Sequence, residues 1–331
     1  MRSLMPELLT ILGPTATGKT ALAARLAIEL NGEVISADSR QVYRGMNIGT
    51  GKDYDDYIVS GVPVPYHLID IVEPGYEYNI FEYQKDFLKA YHDILGRKKL
   101  PVLCGGSGMY LEAVLKGYRL AQAESDDGFL DSLLDKPDEE LVEILKSYKT
   151  MHNITDLEDR PRLLKAIRVA HANQEPKATS DPKSEIRNPE SEIRYPISEI
   201  RNQFPHIKST IFGIEYPRGL VKARIRKRLE YRLEHGMIAE VEQLLAGGIA
   251  PERLMKYGLE YKFVTLFLTA KISRAELSSS LNIAIRQFAK RQMTWFRRME
   301  RQGIKIHWID GRSPIEQKIA EMKMIFEPSR I

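Results

Sequence analysis

A short glycine-rich segment near the amino terminus carries residue types that bind phosphate. It reads Gly13-Pro14-Thr15-Ala16-Thr17-Gly18-Lys19-Thr20 and lies between an apolar run, 8–12, and an alanine- and leucine-rich stretch. This order of strand, glycine loop and helix is typical of a P-loop, where backbone N–H groups and a helix N-terminus surround phosphate oxygens. Lys19 would reach the outer phosphate, and the Thr20 hydroxyl would coordinate Mg²⁺. The segment predicts a ligand with at least two phosphates, which could belong to a nucleotide or to another diphosphate.

Asp38 is the carboxylate best placed to act as a general base beside this loop. It ends a short apolar segment, 33–38, that we interpret as the second strand. Next to the P-loop in a parallel sheet, it could accept a proton from an incoming nucleophile. Strand-end aspartates also commonly cap a helix, here one starting at Ser39. The residue pattern alone favours neither role.

The elements that must position these residues alternate between strands and helices. The predicted strands are 8–12, 33–38 and 100–104, and the last ends in Gly105-Gly106-Ser107-Gly108. Strands separated by helices imply a parallel sheet, whose ligands bind at the carboxyl ends of the strands. We therefore predict an α/β fold whose core is a P-loop NTPase-like parallel sheet. The P-loop, Asp38 and the loop 105–108 should converge at one edge of this sheet.

The middle of the chain has a different pattern, helical and charged from about Tyr118. A tetrapeptide, Ser-Glu-Ile-Arg, begins at 184, 191 and 198, a strict period of seven. Pro189 and Pro196 recur within the repeat and argue against a coiled coil, because each removes a helix hydrogen bond. We interpret 177–205 as a disordered surface insertion with little role in chemistry.

The last third is predicted to be helical and basic. A long basic helix should begin at Arg218 and end near His235-Gly236, where a second helix begins. The segment 283–298 forms an amphipathic helix that sets Ile285, Phe288, Ala289 and Met293 against a basic face. That face suits a phosphate-bearing partner.

The composition indicates a globular protein, since 43% of the 331 residues are hydrophobic and can supply a substantial core. The net charge of +4 is modest, so a polyanionic partner must meet a local cluster of basic residues. The single cysteine, Cys104, excludes an internal disulfide and should be a buried thiol without a catalytic role. Because the P-loop strand follows within a dozen residues of the start and no run approaches a membrane span, we expect a cytoplasmic protein without a membrane partner.

Several motifs in series resemble those of the bacterial tRNA dimethylallyltransferases, also called tRNA isopentenyltransferases. The two longest matches are 11–22, which holds the P-loop, and 35–50, which holds Asp38. Shorter matches follow in the family's order at 67–70, 78–83, 105–110, 286–287 and 289–295. Together they span nearly the whole chain, and only the P-loop is common in other families.

The resemblance implies transfer of a dimethylallyl group from dimethylallyl diphosphate to N6 of the adenosine adjacent to the anticodon in tRNA. The products would be N6-isopentenyladenosine and diphosphate, so the P-loop would hold a leaving group and not a nucleotide. Neutralising that leaving group eases ionisation of the allylic carbon–oxygen bond. The adenine would have to be flipped out of its stack into a channel. The implied cofactor is Mg²⁺, the partners are tRNA and dimethylallyl diphosphate, and we expect a monomer.

The resemblance also assigns roles to residues. Asp38, Lys19 and Ser107 would act in catalysis, Asp38 by accepting the N6 proton. Diphosphate would be bound by the P-loop, Gly13 to Thr20, together with Arg224, and the metal by Thr20. Contacts with tRNA are expected from Asp38, Ser39, Arg40, Gln41, Ser107, Pro161, Arg162, Leu163, Leu164, Lys165, Arg286, Lys290 and Arg291.

Other positions remain open. Arg228 lies on the same helical face as Arg224 and could meet diphosphate or RNA backbone. For Arg226, Lys227 and Arg232 a solvated helix face is at least as good an interpretation. Trp295 follows the apolar spacing of its helix and is expected to pack in the core and not to stack on a base.

The chain departs from the family pattern at two places. It has Gly51-Lys52-Asp53 where the family usually has Ala-Lys-Pro, and the Ser-Glu-Ile-Arg repeat lengthens an insertion that is usually short. We predict a core formed by 1–117 and 206–331, interrupted by a helical tRNA-binding insertion, 118–205. The rival functions are an adenylate isopentenyltransferase acting on free nucleotide, an RNA-binding P-loop nucleotide switch and a small-molecule kinase.

Overall fold

The computed structural model describes residues 7–118, 127–148 and 207–326, and positions 160, 163, 164, 166, 167, 170 and 171. The chain divides into two compact units, Met1–Tyr118 with Asn202–Ile331, and Arg119–Arg201. These divisions fall near the predicted domain boundaries. The Ser-Glu-Ile-Arg repeat and the segment 177–205 lie outside the described residues. Within the described ranges, no helix is long and apolar enough to cross a membrane.

The first unit contains the predicted parallel sheet. Its strands are β1 (Glu7–Leu12), β2 (Gly32–Ala37), β5 (Tyr66–His67), β6 (Leu100–Gly105), β7 (Lys208–Glu215) and β8 (His307–Asp310), and the short strands β3 (Ile58–Val59) and β4 (Val62–Pro63) form a separate hairpin. The six strands are ordered β5-β2-β6-β1-β7-β8, and every neighbouring pair is parallel. β1, which leads into the P-loop, therefore lies inside the sheet.

The inner strands are buried along their length because both faces of the sheet are covered. Every residue of β2 and β6 is buried, so these strands show no alternation of polar and apolar positions. At the carboxyl end of β6, a Cβ on Gly105 would lie 2.1 Å from the Ala37 carbonyl oxygen. Glycine at this position lets the carboxyl ends of β2 and β6 approach closely, which brings the loops after them together.

Strands and helices alternate in the first third of the chain, and the last third is mainly helical, as predicted. The helices are α1 (Lys19–Glu29), α2 (Ile80–Gly96), α3 (Gly108–Leu115), α4 (Asp127–Leu134), α5 (Asp138–Tyr148), α6 (Arg218–Glu234), α7 (Met237–Ala246), α8 (Pro251–Leu254), α9 (Leu259–Leu268), α10 (Arg274–Arg301) and α11 (Ile315–Phe326). The predicted end of the basic helix is confirmed, because α6 stops at Glu234 and Gly236 has a φ of 99°. α10 is longer than predicted and begins at a capping box formed by Ser273 and Glu276.

The second unit has a small apolar core of its own. Leu133 of α4 and Leu141 and Leu145 of α5 pack with Leu163 and Ile167, which occupy helical positions. This packing buries the leucines of a short amphipathic segment against two neighbouring helices.

Glu33 forms a buried charge cluster near the start of β2. Only 3% of its side chain is exposed, and it is paired with Arg97 at 2.7 Å, His67 at 2.7 Å and Lys99 at 3.2 Å. Burial by itself would raise the pKa of Glu33, but the hydrogen bonds from Arg97, His67 and Lys99 outweigh it and lower the pKa to about 2. The cluster therefore stabilises the folded protein when Glu33 is ionised.

Replacing Glu33 by glutamine should destabilise the protein in a pH-dependent way. The folded pKa lies below the unfolded one, so the stabilisation is fully present above about pH 4.5 and is lost as the pH falls toward 2. Urea unfolding at pH 7 should show a loss of about 3 kcal/mol. The control Glu73→Gln removes a surface partner of Arg44 that is 69% exposed, and should change stability by less than about 0.5 kcal/mol. Equal losses for Glu33→Gln at pH 7 and pH 3 would contradict this origin.

Candidate active site

The P-loop connects β1 to α1 through a tight turn. Ala16 and Gly18 have φ values of 65° and 75°, and the Thr17 hydroxyl donates to the Pro14 carbonyl at 2.9 Å. A Cβ on Gly13 would lie 3.0 Å from the Thr17 hydroxyl, so any other residue there would force its neighbours to shift. Lys19 is the first residue of α1, which places the positive end of the helix beside the loop.

Residues distant in sequence hold the P-loop in place. Gln292 of α10 accepts a hydrogen bond from Thr15 N–H at 2.9 Å and donates another to the Gly106 carbonyl at 2.9 Å. One side chain thereby joins two of the loops expected to converge. The sequence analysis did not identify Gln292. Its position could have indicated a structural role, because it is a polar residue on the buried face of an amphipathic helix, between Ala289 and Phe296.

Two arginines of α6 also contact the P-loop. Arg224 donates to the Ala16 carbonyl at 2.7 Å but is not on the wall of the cavity described below, whereas Arg228 donates to the Thr15 hydroxyl and lies on that wall. Burial, followed by the nearby charge of Arg232, lowers the pKa of Arg228 to about 10. Arg228 is still a cation at neutral pH, and of these two arginines it is the one that lines the cavity.

Lys19 lines the same cavity, and its positive charge is only partly compensated by its surroundings. Burial lowers the pKa of Lys19, while Cys104 and Asp38 act in the opposite direction. Among the described residues no carboxylate forms an ion pair with Lys19. Cys104 is buried, as predicted, and burial raises the pKa of its thiol to about 12, so it stays protonated. The local environment favours an anionic ligand next to Lys19.

Asp38 follows β2 in a turn and does not cap a helix. Its Oδ1 accepts the Arg40 N–H at 3.0 Å, and residues 39–42 form turns, so the helix considered at Ser39 is absent from this described segment. The Ser107 hydroxyl accepts the Ser39 N–H at 3.0 Å. Ser107 occupies the N-cap position of α3 but makes no capping bond with its side chain, because its hydroxyl holds the Asp38 loop instead.

Gln41 links the Asp38 loop to the segment that departs from the family pattern. Its side chain accepts the Ser36 hydroxyl at 2.8 Å and donates to the Gly51 carbonyl at 3.1 Å. Gln41 is 9% exposed, although part of it reaches the cavity wall. Its amide therefore already serves to position residues 49–51.

A buried carboxylate anchors the same segment from α7. Glu240 accepts N–H groups of Asn47 at 2.9 Å, Ile48 at 2.7 Å and Gly49 at 3.0 Å, and the Tyr261 hydroxyl at 2.6 Å. A Cβ on Gly49 would lie 2.6 Å from the Tyr261 ring. Glu240 was missed from sequence because a single glutamate on an amphipathic helix normally faces solvent.

Lys52 and Asp53, in the segment that departs from the family pattern, also help to hold it in place. Lys52 has a fully buried side chain that bonds Asp70 and the Tyr43 carbonyl. Burial lowers the pKa of Lys52, and the contact with Asp70 opposes that effect. Asp53 accepts Arg232 at 2.8 and 3.0 Å, and the Arg232 side chain is 8% exposed. The solvated-face interpretation is therefore wrong for Arg232, whose charge is satisfied by a carboxylate 179 positions away.

These loops surround one cavity of about 620 Å³ in the first unit. Its wall is formed by the P-loop with Lys19 and Thr20, by the segments 38–41, 49–51, 104–110 and 255–260, and by side chains of α6 and α10. Seven cationic and four carboxylate side chains line it. The wall is thus net positive, as a site for a polyanion should be. The expected convergence of the P-loop, Asp38 and the loop 105–108 is present.

The basic residues of α10 divide into two groups. Arg291 lies on the cavity wall, whereas Arg286 and Lys290 lie outside it. Phe288, expected on the packed face, is 39% exposed and also lines the cavity. Trp295 lies against Gly108, since a Cβ built there would lie 2.5 Å from its ring, but it is half-buried and also lines the cavity, so its expected place in the core is not confirmed.

The predicted contacts of the second unit are only partly described. Pro161, Arg162 and Lys165 lie outside the described residues. Leu163 is buried in the core of its unit, and Leu164 is half-buried against it, so both side chains pack within the unit. Their contact with tRNA stays a prediction.

The fold and site together define a P-loop α/β protein with a large, positively lined cavity over its phosphate loop. Two family models match the chain, IPP transferase over residues 41–299 and Isopentenyl transferase over residues 6–61. A tRNA dimethylallyltransferase of Parabacteroides distasonis is 52% identical over 314 residues, covering 95% of each chain. The chain belongs to the tRNA dimethylallyltransferase family.

Solved structures agree with this assignment. The tRNA isopentenylpyrophosphate transferase of Bacillus halodurans is 27% identical with a TM-score of 0.67, and the match covers 98% of this chain and 97% of that one. A eukaryotic dimethylallyltransferase, described as acting on tRNA, has a TM-score of 0.71 at 21% identity, over 98% of this chain and 77% of its own. The second likeness concerns the fold alone.

Proposed function

We propose that this chain transfers a dimethylallyl group from dimethylallyl diphosphate to N6 of the adenosine adjacent to the anticodon in tRNA. The carbon–oxygen bond to diphosphate breaks, a carbon–nitrogen bond forms, and the N6 proton leaves. The observation that carries the proposal is that the P-loop and Asp38 line one cavity. A leaving-group site and a proton acceptor are the two parts that this reaction needs.

The leaving diphosphate would be held by the backbone of Gly13 to Thr20 and by Lys19. Arg228, on the cavity wall, is better placed than Arg224 to meet it directly, because Arg224 bonds the Ala16 carbonyl from outside the wall. Arg224 would then act by fixing the P-loop backbone. Cations fixed before the reaction stabilise the charge that develops on the departing oxygen.

Asp38 would accept the N6 proton of an adenine extruded into the cavity. Two hydrogen bonds fix the turn that carries Asp38. The Arg40 N–H donates to the Asp38 carboxylate and the Ser39 N–H donates to the Ser107 hydroxyl, which together restrict the orientation of the carboxylate. Ser107 would thus contribute by orienting this turn in addition to any contact with RNA. Fixed orientation is a large part of general base efficiency.

The residues of this site suit a Mg²⁺ ion that binds together with the diphosphate. Thr20 lines the cavity, and among the described residues no group of three His, Cys, Asp or Glu side chains could hold a metal unaided. Mg²⁺ commonly binds through a few protein oxygens together with substrate phosphates. Thr20 would supply a protein ligand, and the metal would neutralise charge on the leaving group.

Contacts with tRNA are proposed at the cavity mouth and beyond it. Ser39, Arg40 and Gln41 follow Asp38, the proposed proton acceptor, and Arg291 lines the same cavity. Arg286 and Lys290, outside the wall on the same helix, would meet RNA backbone further from the reacting nucleotide. The segment Pro161 to Lys165 of the second unit is also proposed to contact tRNA.

One assay tests the function against its rivals. The full chain is incubated with labelled dimethylallyl diphosphate and Mg²⁺, in parallel with unmodified tRNA, with AMP and with ATP alone. Label should enter tRNA and be recovered after digestion as N6-isopentenyladenosine. Label in AMP but not in tRNA would favour an adenylate isopentenyltransferase, and ATP turnover without prenyl transfer would favour a kinase or a nucleotide switch.

A further inference from the structure

Glu260 is a carboxylate on the cavity wall to which the proposed reaction assigns no role. It lies in the first turn of α9 and is half-buried. Within the described ranges it forms no ion pair, whereas Asp53 on the same wall is paired with Arg232 at 2.8 Å. A partly buried carboxylate needs polar neighbours to replace the water that it has lost.

A second, smaller cavity is lined by Glu260 together with two arginines of α6, Arg228 and Arg232. Its volume is about 10 Å³, and its remaining lining side chains are apolar. Such a volume accommodates a single water molecule, provided that the site offers that water several polar partners. The three charged side chains are such partners. The small cavity therefore suits one water that bridges the Glu260 carboxylate and the arginines.

Arg228 is the less compensated of the two arginines. Both lie on one face of α6, one turn apart, and the charge of Arg232 adds to the effect of burial in lowering the pKa of Arg228 to about 10. Of the carboxylates that oppose this shift of the pKa, Glu260 has the largest effect, ahead of Asp53. Arg232 is paired directly with Asp53. Arg228 instead donates to the Thr15 hydroxyl, which carries no charge. Glu260 is thus the carboxylate that compensates Arg228.

We propose that Glu260, through a bridging water, holds the Arg228 guanidinium at the P-loop before the diphosphate binds. This inference rests on the proposed function, in which Arg228 meets the leaving group. Arg228 is then fixed by two groups, the Thr15 hydroxyl and Glu260. A cation oriented in advance stabilises the charge that develops on the departing oxygen without reorganising during the reaction. Glu260 is a positioning residue, because its effect on the substrate passes through Arg228.

The test replaces Glu260 by glutamine in the full chain and measures prenyl transfer at saturating tRNA. Glutamine keeps the size of the side chain but removes the charge that orients Arg228. The kcat should fall roughly ten- to hundredfold, the scale for a lost orienting contact. The KM for dimethylallyl diphosphate should not rise, because the cavity wall becomes more positive and attracts the diphosphate at least as well. The control Glu242→Gln removes an exposed carboxylate of α7 that lines neither cavity, and should keep the wild-type kcat and KM.

A double-variant cycle separates positioning from a merely structural role. In an Arg228→Gln background, Glu260→Gln should change kcat by less than about twofold, because the arginine that Glu260 positions is absent. Glu260→Asp keeps the negative charge beside Arg228 and should recover most of the lost rate.

Failure of the inference can be told apart from failure of the proposed function. A wild-type kcat in Glu260→Gln, or an equal fall of kcat with and without Arg228, would overturn the inference and leave the function intact. A large loss of Tm in Glu260→Gln would assign Glu260 a structural role and would likewise overturn it. Wild-type chain that transfers no label to tRNA would overturn the proposed function, and the inference with it.

Discussion

Asp38→Asn should lower the rate of prenyl transfer to tRNA by roughly two or more orders of magnitude, the usual scale for a lost general base. The amide cannot take up the N6 proton, but its oxygen can still accept the Arg40 N–H that shapes the turn. The affinity for tRNA and the thermal stability should therefore stay close to those of the wild type. Single-turnover kinetics with labelled dimethylallyl diphosphate measure the effect.

The matched control for this variant is Asp55→Asn. Asp55 is an exposed aspartate outside the cavity wall, so the same chemical change there should leave turnover within about twofold of the wild type. Normal turnover in Asp38→Asn would show that another group accepts the proton. A loss of tRNA binding equal to the loss of rate would instead indicate that Asp38 mainly holds the nucleotide.

Lys19→Met should separate activity from stability. Removing the ammonium opposite the diphosphate should reduce kcat/KM for dimethylallyl diphosphate by roughly two to three orders of magnitude, as for other lost charge-stabilising groups. The free protein should be no less stable, because burial lowers the pKa of Lys19 and no described carboxylate pairs with it. An apolar side chain of similar length removes this desolvated charge.

Thermal unfolding with and without dimethylallyl diphosphate and Mg²⁺ checks both halves of this prediction. Ligand binding should raise the Tm of the wild type, and the shift should be nearly absent in Lys19→Met. The control Lys85→Met changes an exposed lysine of α2 and should keep the full shift. A ligand-induced shift of wild-type size in Lys19→Met would remove Lys19 from the diphosphate site.

Three buried polar side chains hold the loops of the cavity wall in place. Gln292 joins the P-loop to Gly106, Gln41 joins the Asp38 turn to Gly51, and Glu240 holds three consecutive N–H groups of the segment 47–49. Each is a buried polar side chain that satisfies backbone groups which would otherwise be costly to bury. Gln292 and Glu240 fix loops to helices, and Gln41 fixes one loop to another.

The sequence by itself determined the parts of this protein that depend on short-range chemistry. The glycines and threonines of the P-loop act within a few residues of one another, and the apolar runs of β1, β2 and β6 reflect burial on both faces of a sheet. Parallel strands then bring Asp38 and Gly105–Gly108 to the same edge, and the family motifs could be read directly.

Only the tertiary structure decided which distant side chains meet. Arg232 was open to a solvated interpretation and is buried against Asp53, while Phe288 was expected to be packed and is exposed at the cavity. Glu240 and Gln292 were not selected at all. Helical periodicity predicts which side of a helix a residue lies on. The residue that its side chain contacts depends on how the helices pack against the sheet and against one another. That docking joins positions nearly two hundred residues apart, and no local pattern records it.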